Sequence, residues 1–528
     1  MSTSHQARTR RPGGPLADTR PDADPDLLRG MLQDASFTPG GFSAGVVHAR
    51  SEADVAQVLR TSAAVLPVGA QSSVTGGGTP MGETLLSLRH LQYLQVEPGH
   101  VQVGAGVTLA ELQAALAVED AFFPPVPTYD GAQVGGVVST NASGASTFKY
   151  GSVRQWVQGL TVVLASGEVL DLGRGEHQAH ADGYFELLHT SGQVTRVPVP
   201  RYVMPDVPKR SAGYHAAPGM DLVDLFVGSE GTLGVITQAT LRTRAPLPPV
   251  ATLLVPCPDE TAALDLTAIL RRAAQLAWTG HAASPDVRAV EYLDRRCLAL
   301  LREEGADRSC GVQIHPEDGA LLIVQVELPQ GDGHWLELLD GDPARHPLPA
   351  LVQLLADAGR LERTELALPG DRRAAQLLAL REAVPASINR RFARAQRGTD
   401  PGISKVGADM VVPFERLSEA MTLYRAAFER AGVDYAIWGH ASDGNMHPNM
   451  LPGTFDDVRR ARAALLDLGQ AITSLGGCPL AEHGVGRSAV KQALLRQLYG
   501  EQGAAEMRAV KRALDPDGIL SPGVLLGT

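Results

Sequence analysis

A chain of 528 residues exceeds what one ordinary hydrophobic core accommodates, so its length predicts two or more domains. Hydrophobic residues make up 44% of it, which suffices for globular packing, and the formal net charge of −11 argues against nucleic acid as the main partner. The four cysteines include no Cys-x-x-Cys pair, which argues against an iron–sulfur cluster or a zinc ribbon and suits a reducing compartment.

The N-terminal residues 1–26 are rich in Pro, Gly, Arg and Asp and lack an apolar core, so they predict a disordered tail. Arg10-Arg11 is not followed by the apolar stretch of a secretion signal. No segment approaches the roughly 20 apolar residues of a transmembrane helix. We therefore expect a cytoplasmic protein without a transmembrane segment, and peripheral docking at the inner face of the membrane stays open.

Capping motifs and a short turn indicate the elements of the first half of the chain. Ser51-x-x-Asp54 and Thr108-x-x-Glu111 have the form of helix N-terminal caps, and Ser166-Gly167 separates two apolar runs as in a β-hairpin. The predicted elements are a helix after Ser51, a strand over 64–69, a strand over 101–107, a helix over 108–118 and a hairpin over 160–172.

Three glycine-rich segments lie beside these strands, over 69–78, 131–144 and 228–236. Glycine permits positive φ angles and lets backbone N–H groups converge on an anion, so the first segment is a candidate pyrophosphate cradle. It is neither a P-loop, because no Gly-Lys-Ser/Thr follows, nor a Rossmann turn, because Gly-x-Gly-x-x-Gly is absent. Three such segments predict a long ligand such as a dinucleotide, with a plain flexible loop as the alternative for the first.

The prolines over 246–249 interrupt this pattern and mark a domain boundary. Beyond them strands alternate with helices, which indicates an α+β layer of sheet and helices. The predicted elements are a strand over 251–255, a helix over 259–278, a strand over 321–328, a helix over 371–384 bearing Arg381, a strand over 406–412 preceded by Lys405, a helix over 414–431 and helical chain from about 457. Pro385 should end or kink the helix that bears Arg381.

A histidine cluster near the C-terminus is the strongest chemical signal. Six residues separate His440 from His447, and Glu482-His483-Gly484 follows downstream. Asp443-Gly444-Asn445 is turn chemistry, so the two histidines should lie on opposite sides of a tight bend, where both rings could meet. Imidazoles and one carboxylate are what a catalytic zinc-type site uses when it keeps one position open. Simple packing of the two histidines is the alternative.

Five motifs appear in order: Pro67-x-Gly69 through Gly77, Gly135-Gly136 through Asn141 and Gly144 to Tyr150-Gly151, Gly228 to Gly234, His440 to His447, and Glu482-His483-Gly484-x-Gly486. With them, residues 40–526 resemble the FAD-linked oxidases of the vanillyl-alcohol oxidase / p-cresol methylhydroxylase (PCMH) superfamily. Within it, the chain is most similar to the group of D-lactate dehydrogenases, glycolate oxidase flavin subunits and D-2-hydroxyglutarate dehydrogenases.

This resemblance implies an α+β fold in which a PCMH-type FAD-binding domain precedes an α+β substrate cap domain of the FAD-linked oxidase C-terminal type. The implied ranges are 1–39 for the disordered tail and lead-in, 40–246 for the FAD-binding domain, 247–470 for the cap and 471–528 for helices that return to the flavin.

The resemblance also places FAD against the three glycine-rich segments. The implied cofactor-binding residues are Pro67, Gly69, Ala70, Gln71, Ser72, Ser73, Gly76, Gly77, Val134, Gly135, Gly136, Thr140, Asn141, Gly144, Tyr150, Gly151, Val153, Glu230, Gly231, Gly234, Val235 and Ile236. Some relatives bind FAD covalently through a histidine in the pyrophosphate loop. Residues 70–73 contain none, so we expect noncovalent FAD.

The family's catalytic positions map onto the histidine cluster and two cations. His440, His447 and Glu482 match the ligands of a divalent metal, with zinc the first choice and manganese or iron the alternatives. Arg381 and Lys405 match residues that hold the substrate carboxylate. The remaining catalytic positions implied are His483 as general base and Asn449 near the substrate.

The implied reaction oxidises a D-2-hydroxy acid to the 2-oxo acid, with hydride transfer to flavin N5. The electrons would pass to a non-nicotinamide acceptor: a quinone, a cytochrome, an electron-transfer flavoprotein or an iron–sulfur subunit. Pro385 replaces a hydroxyl residue of the D-2-hydroxyglutarate branch, which favours a small acid such as D-lactate or glycolate.

Three alternatives stay open. The chain could act on another alcohol or a larger hydroxy acid, it could run redox-neutral chemistry, or it could be the FAD-binding subunit of a multi-subunit glycolate oxidase. A homodimer is one expected assembly.

Overall fold

The computed structural model of the protein describes residues 4–125, 127, 129–331, 334–400 and 402–527. The first half of the chain forms short strands and short helices. Its strands are β1 (Gln6–Arg10), β2 (Val46–His48), β3 (Val65–Val68), β4 (Thr84–Ser87), β5 (Leu94–Glu97), β6 (His100–Gly104), β7 (Val157–Val163), β8 (Val169–Gly173), β9 (Tyr184–Leu188), β10 (Val194–Pro198) and β11 (Val235–Arg242). Its helices are α1 (Pro25–Arg29), α2 (Glu52–Thr61), α3 (Leu109–Val118), α4 (Val134–Ser139), α5 (Thr147–Tyr150) and α6 (Leu222–Phe226).

The second half of the chain forms longer helices around one sheet. Its strands are β12 (Val250–Cys257), β13 (Asp286–Asp294), β14 (Ala320–Glu327), β15 (Glu365–Ala367), β16 (Val406–Gly407), β17 (Met410–Val411), β18 (Tyr435–His440) and β19 (Asn445–Met450). Its helices are α7 (Glu260–Trp278), α8 (Arg295–Glu303), α9 (Ala306–Ser309), α10 (Trp335–Leu338), α11 (Pro347–Asp357), α12 (Arg372–Gly398), α13 (Leu417–Ala431), α14 (Phe455–Ser474) and α15 (Ala489–Leu514), the last interrupted at Gly500.

Two sheets build the first half. A parallel sheet has the order β2-β4-β3, and a larger sheet has the order β10-β9-β1-β8-β7-β11-β6-β5. Capping signals define their neighbouring helices as predicted: Ser51 caps α2, and Thr108 and Glu111 form a reciprocal capping box on α3. The predicted hairpin is confirmed as the antiparallel pair of β7 and β8.

The disordered tail predicted from composition is wrong for residues 6–10, which form β1 inside the larger sheet. This strand pairs with β9 in parallel and with β8 in antiparallel register. Ala7 is 1% exposed, and the Arg10 guanidinium bonds both oxygens of Glu52. A polar segment is ordered here because two neighbouring strands satisfy its backbone groups, which composition does not reveal. Residues 1–3 of the predicted tail lie outside the described residues.

Strands β12 to β19 form a third sheet, here called the cap sheet, with the order β15-β12-β14-β13-β18-β19-β16 and β17 also paired to β19. The predicted strand over 406–412 is divided into β16 and β17. Helix α12 continues through Pro385 to Gly398, so this proline does not end the helix, and the alternative that it kinks the helix stays a prediction. The buried side chains of Val384 and Ile388 anchor both flanking turns, and this packing outweighs the hydrogen bond that proline removes.

The chain after the cap sheet returns to the first half. Cys478, Leu480, Leu494 and Met507 belong to the same buried apolar cluster as the strands of the larger sheet. Val65 of β3 also pairs with Leu520, which extends the parallel sheet by a C-terminal segment. The borders drawn from the sequence at 246/247 and 470/471 stay predictions.

Two further observations concern the whole described chain. All four cysteines are free thiols. Across the described ranges, no helix combines the length and the apolar character that crossing a membrane requires.

The first prediction tests whether residues 6–10 are a core strand. Ala7→Asp buries an uncompensated carboxylate, so it should lower the free energy of unfolding by about 2–4 kcal/mol. Arg8 is the matched control, because its side chain is exposed on the same strand, and Arg8→Asp should change the stability by less than about 0.5 kcal/mol. Urea denaturation of both variants provides the measurement. If both unfolding midpoints equal that of the wild type, residues 6–10 are not a core strand and the prediction of a disordered tail stands.

Candidate active site

The bend predicted between the two histidines is confirmed. Strands β18 and β19 form a hairpin around a 3-10 turn over Ala441–Asp443, and Gly444 follows with φ +77°. The imidazole rings of His440 and His447 lie edge to face, with their centroids 5.2 Å apart. The turn residues therefore bring both rings to one point, as their chemistry predicts.

Strand register gathers further site residues on one face of the cap sheet. Opposed residues on neighbouring strands project to the same side, as do alternate residues along a strand. The opposed pairs are Glu291 with His440, His447 with Trp438, His440 with Asn445, and Asn449 with Gly407. Lys405 and Asp409 lie two residues to either side of Gly407, so the same alternation directs them to this face.

One carboxylate oxygen is the common neighbour of three imidazoles. The Oε1 atom of Glu482 lies 3.3 Å from Nε2 of His440, 3.3 Å from Nε2 of His447 and 3.5 Å from Nε2 of His483. The predicted metal ligands and the predicted base thus converge. Since Glu482 and His483 are adjacent in sequence, one short loop supplies both.

The outer nitrogens of these imidazoles face two carboxylates that the sequence reading missed. His440 Nδ1 bonds Glu291 Oε1, and Asp409 lies 3.2 Å from His483 Nδ1 and 3.5 Å from His447 Nδ1. A carboxylate at Nδ1 orients the ring and directs Nε2 inward. Asp409 lies inside the predicted 406–412 strand, but nothing in its flanking residues indicates its contacts with the two histidines.

Asp409, His447, Glu482 and His483 each place one ligand atom within 4.8 Å of the others. Compared with the predicted ligands His440, His447 and Glu482, this grouping adds Asp409 and His483 and omits His440. Asp409 Oδ2 already accepts the backbone N–H groups of Glu482 and His483, each at 2.8 Å, and its Oδ1 accepts the Asn445 amide at 3.0 Å. These bonds make Asp409 better suited to hold the loop than to bind a cation.

A third missed residue is Lys209, which the first half of the chain inserts beneath the hairpin. Its side chain is fully buried, and its ammonium lies 2.9 Å from Glu482 Oε2, 3.0 Å from Asn445 Oδ1 and 3.2 Å from Asp443 Oδ2. Burial opposes its charge, but Asp443 and Glu482 outweigh that effect and raise the pKa of Lys209. No local sequence pattern distinguishes this lysine from a surface one.

The protonation states follow from burial and from these partners. Burial alone would lower the pKa of His440, but Glu291 outweighs it and raises this pKa to about 9. Burial lowers the pKa of His483 to about 4, although Asp409 opposes the shift, so His483 is neutral at pH 7. Burial would raise the pKa of Glu482, but Lys209 and His440 hold it well below its usual range.

The residues at this point fit a divalent cation. Four buried carboxylates, those of Glu291, Asp409, Asp443 and Glu482, meet two side-chain cations within ion-pair distance among the described residues, Lys209 and Arg381. Protonated His440 leaves one formal negative charge, but a metal ligand must be a neutral imidazole, so metal binding would displace the His440 proton. Two formal negative charges would then remain, which one divalent ion would balance. Nearby Glu230 and Lys491 add opposite charges and leave the balance unchanged. Two imidazole nitrogens and a carboxylate oxygen are donors that zinc, manganese and iron accept.

The predicted carboxylate-binding residues lie at the edge of this cluster. Arg381 is 9% exposed and donates its Nε to Glu291 Oε2 at 2.6 Å. Lys405 is accessible to solvent, yet desolvation by the protein around it, together with the charge of Lys491, lowers its pKa to about 8. Asn449 is 3% exposed, and its Oδ1 has no hydrogen-bond partner among the described residues.

The predicted cofactor segments contain strained backbone. Gln71, Asn141 and Glu230 are non-glycine residues with positive φ, at +50°, +48° and +53°, and each lies in a different segment. Such conformations concentrate at functional sites. Gln133 Oε1 and Ser143 Oγ, both in the second segment, are buried without a hydrogen-bond partner among the described residues.

The first segment also closes against the loop that follows His483. Gly486 has φ +57°, and a Cβ there would lie 2.3 Å from Thr75 Oγ1. The Arg487 backbone N–H donates to the Thr75 carbonyl at 3.0 Å. The first glycine-rich segment and the loop after His483 therefore meet. The positive φ angles, the unpaired buried side-chain atoms and this close approach of two backbones together fit a bound FAD.

Several residues of the predicted cofactor set have side chains engaged elsewhere. The Tyr150 hydroxyl donates to Glu327 of the cap sheet at 2.6 Å, and Glu230 accepts the backbone N–H groups of Val485 and Gly486. Val153 and Val235 are 0% and 1% exposed, because both belong to buried apolar clusters. Contact of these four residues with the cofactor stays a prediction.

The remaining predicted positions differ in exposure. Eleven of these residues are partly or fully exposed to solvent: Pro67, Gly69, Ala70, Gln71, Ser72, Ser73, Gly77, Gly136, Thr140, Gly151 and Gly231. The buried positions are Gly76, Val134, Gly135, Asn141, Gly144, Gly234 and Ile236.

Comparison with known families identifies the class of protein. Residues 250–525 match the model for FAD linked oxidases, C-terminal domain, and residues 43–173 match the model for an FAD binding domain. The first match spans more than half of the chain. The protein belongs to the FAD-linked oxidase family, so it is an FAD-linked oxidoreductase, and the predicted family and α+β fold class are confirmed.

Relatives matched over most of their length agree with this assignment. The chain is 26% identical to a D-lactate dehydrogenase of Archaeoglobus fulgidus, covering 90% of each chain. It is 27% identical to a D-2-hydroxyglutarate dehydrogenase of Xanthomonas citri pv. viticola, covering 88% of this chain and 84% of that one. It is 26% identical to the glycolate oxidase subunit GlcD of Bacillus subtilis, covering 87% and 83%.

The fold resembles that of a 4-ethylphenol oxidase from Gulosibacter chungangensis. The TM-score is 0.63 at 18% identity, and the match covers 95% of this chain and 93% of that one. At this identity the similarity concerns the fold alone.

The second prediction concerns Lys209. Lys209→Met removes the cation from two buried carboxylates, so it should lower the free energy of unfolding by about 3–5 kcal/mol. Arg196, which pairs with Glu186 on the surface, is the control, and Arg196→Met should cost less than about 1 kcal/mol. Urea denaturation measures both. A K209M midpoint equal to that of the control would mean that the lysine does not balance the buried charges.

Proposed function

We propose that the protein oxidises a D-2-hydroxy acid to the corresponding 2-oxo acid, using FAD and a divalent metal. The main observation behind this proposal is that His440, His447 and His483 converge on one oxygen of Glu482, beside Arg381. The relatives named for D-lactate, D-2-hydroxyglutarate and glycolate support the substrate class.

Arg381 and Lys405 bind the substrate carboxylate in this proposal. Glu291 engages the Nε atom of Arg381, and this leaves the two terminal nitrogens as a fork that matches a carboxylate. Lys405 adds a compact positive charge. Asn449, whose buried Oδ1 is unpaired among the described residues, is a weaker candidate for a polar contact with the substrate.

His440, His447 and Glu482 would hold the metal, with zinc the first choice and manganese or iron the alternatives. A divalent cation supplies a Lewis acid that lowers the pKa of a bound hydroxyl. The hydrogen bond between His440 Nδ1 and Glu291 orients the ring of His440, and Asp409 lies 3.5 Å from His447 Nδ1.

His483 accepts the proton of the substrate hydroxyl. Its side chain is 34% exposed, so substrate can reach it, and its low pKa leaves the imidazole neutral at pH 7, as a base requires. Asp409 faces Nδ1, which leaves Nε2 as the accepting atom. Because Asp409 also binds the backbone N–H of His483, the base and its orienting carboxylate move as one unit.

Bound FAD supplies the two-electron acceptor for the hydride that leaves the substrate carbon. We propose that it is held noncovalently by the three glycine-rich segments, since residues 70–73 contain no histidine. Electrons would then pass to a quinone, a cytochrome, an electron-transfer flavoprotein or an iron–sulfur subunit. We further propose a cytoplasmic location, with docking at the inner membrane face where the acceptor is a quinone, and a homodimer as the assembly.

Helix α12 favours a small substrate. Pro385 follows Arg381 by four positions, one helical turn further on, and offers no hydroxyl to a second carboxylate. D-lactate and glycolate are therefore the preferred substrates, with a larger hydroxy acid or another alcohol as the alternative. The similarity to a glycolate oxidase subunit supports a second candidate, in which this chain is the FAD-binding subunit of a larger oxidase.

The third prediction tests the reaction class and the metal. Under anaerobic conditions D-lactate should bleach the flavin absorbance, and L-lactate should leave it unchanged. Chelation should remove the bleaching while FAD stays bound, and zinc or manganese should restore it. A flavin that neither D-lactate, glycolate nor D-2-hydroxyglutarate bleaches, in protein with confirmed FAD and metal, would contradict the proposal.

The fourth prediction concerns the base. His483→Gln should slow anaerobic flavin reduction by about 10²–10⁴-fold, because general-base catalysis contributes about that factor. Metal and FAD content should stay at the wild-type level, since His483 is not among the proposed ligands. His189, which bonds Glu168 away from this cluster, is the control, and His189→Gln should reduce the flavin at the wild-type rate. Equal rates for both variants would exclude His483 as the base.

A further inference from the structure

Glu291 is a buried carboxylate with a different partner on each oxygen. It lies in β13 directly opposite His440 and is 5% exposed. Its Oε1 atom bonds His440 Nδ1, and its Oε2 atom accepts Arg381 Nε at 2.6 Å. One carboxylate therefore touches both a metal-ligand candidate and a substrate-anchor candidate, which are otherwise 59 positions apart in the chain.

Each contact constrains an orientation. A carboxylate at Nδ1 holds the His440 ring so that Nε2 points toward Glu482. A carboxylate at Nε rotates the Arg381 guanidinium so that its terminal nitrogens face away from Glu291. Because the Glu291 side chain is buried and bonded at both oxygens, it holds the ring and the guanidinium in one relative geometry.

We infer that Glu291 is a positioning residue that aligns the substrate anchor Arg381 with the metal ligand His440, an inference that rests on the proposed function. A hydroxy acid presents its carboxylate and its hydroxyl on adjacent atoms, so the anchor and the metal must keep a constant separation. Glu291 sets that separation, since it is the one described side chain that bonds both residues.

A purely electrostatic role is the competing explanation. In that case Glu291 would only balance the charge of Arg381, and its loss would lower stability without changing metal or substrate binding separately. Glu327 offers a matched comparison. It is 6% exposed on the neighbouring strand β14, its register places it on the same sheet face, and it bonds Lys149 and Tyr150 but neither His440 nor Arg381.

The fifth prediction compares Glu291→Gln with Glu327→Gln in the FAD- and zinc-loaded protein. E291Q should weaken zinc affinity by about 10–100-fold, measured by competition with a chelator, because loss of an orienting carboxylate has about that effect. It should also raise KM for D-lactate by about tenfold or more, while FAD content stays unchanged. E327Q should alter zinc affinity and KM by less than about twofold.

A double variant separates the two contacts. With Arg381→Ala already present, E291Q should still weaken zinc binding but should raise KM no further. Loss of zinc affinity together with a raised KM in E291Q supports the inference, and a change in only one of them, or equal changes in E327Q, overturns it.

If E291Q does not fold, Glu291→Asp is measured in the same way, because one methylene less cannot reach both partners. Wild-type values of both quantities in E291D overturn the inference. A wild-type protein that oxidises no hydroxy acid would refute the proposed function instead, and the zinc affinity of E291Q would still report the contact with His440.

Discussion

A single buried ammonium group organises the meeting of the two halves of this protein. Lys209 comes from the first half, is fully buried, and ends among oxygens of Asp443, Asn445 and Glu482. A buried ammonium without partners would lower the stability of the fold by several kcal/mol. The hairpin and the Glu482 loop must therefore keep their oxygens around Lys209. The histidines that flank Glu482 take their positions from the same arrangement.

The other buried carboxylates each have a structural task besides their charge. Asp409 binds the backbone of Glu482 and His483, and Glu230 binds the backbone of Val485 and Gly486, so consecutive N–H groups of one loop are held by two carboxylates. That loop lies between the glycine-rich segment and the cap sheet. Two carboxylates thus hold the backbone of this loop at two pairs of consecutive residues.

Local signals predicted most individual elements correctly. The Thr108–Glu111 capping box, the turn at Ser166-Gly167 and the bend at Asp443-Gly444-Asn445 depend on neighbouring residues, and each appears where expected. The errors arose where distant residues decide. Residues 6–10 are polar but pair with strands near 170 and 186, and Pro385 stays helical because Val384 and Ile388 are packed against the cap core.

The sequence by itself determined the family, the three glycine-rich segments and the residues His440, His447, Glu482 and His483, because these lie in short motifs whose chemistry is local. Only the tertiary structure revealed Lys209, Glu291 and Asp409. They lie 236, 149 and 73 positions from the groups they contact, and nothing in their flanking residues indicates the contact. A buried charge is placed by the partners that compensate it, and those partners are brought together only when the sheets and helices have packed.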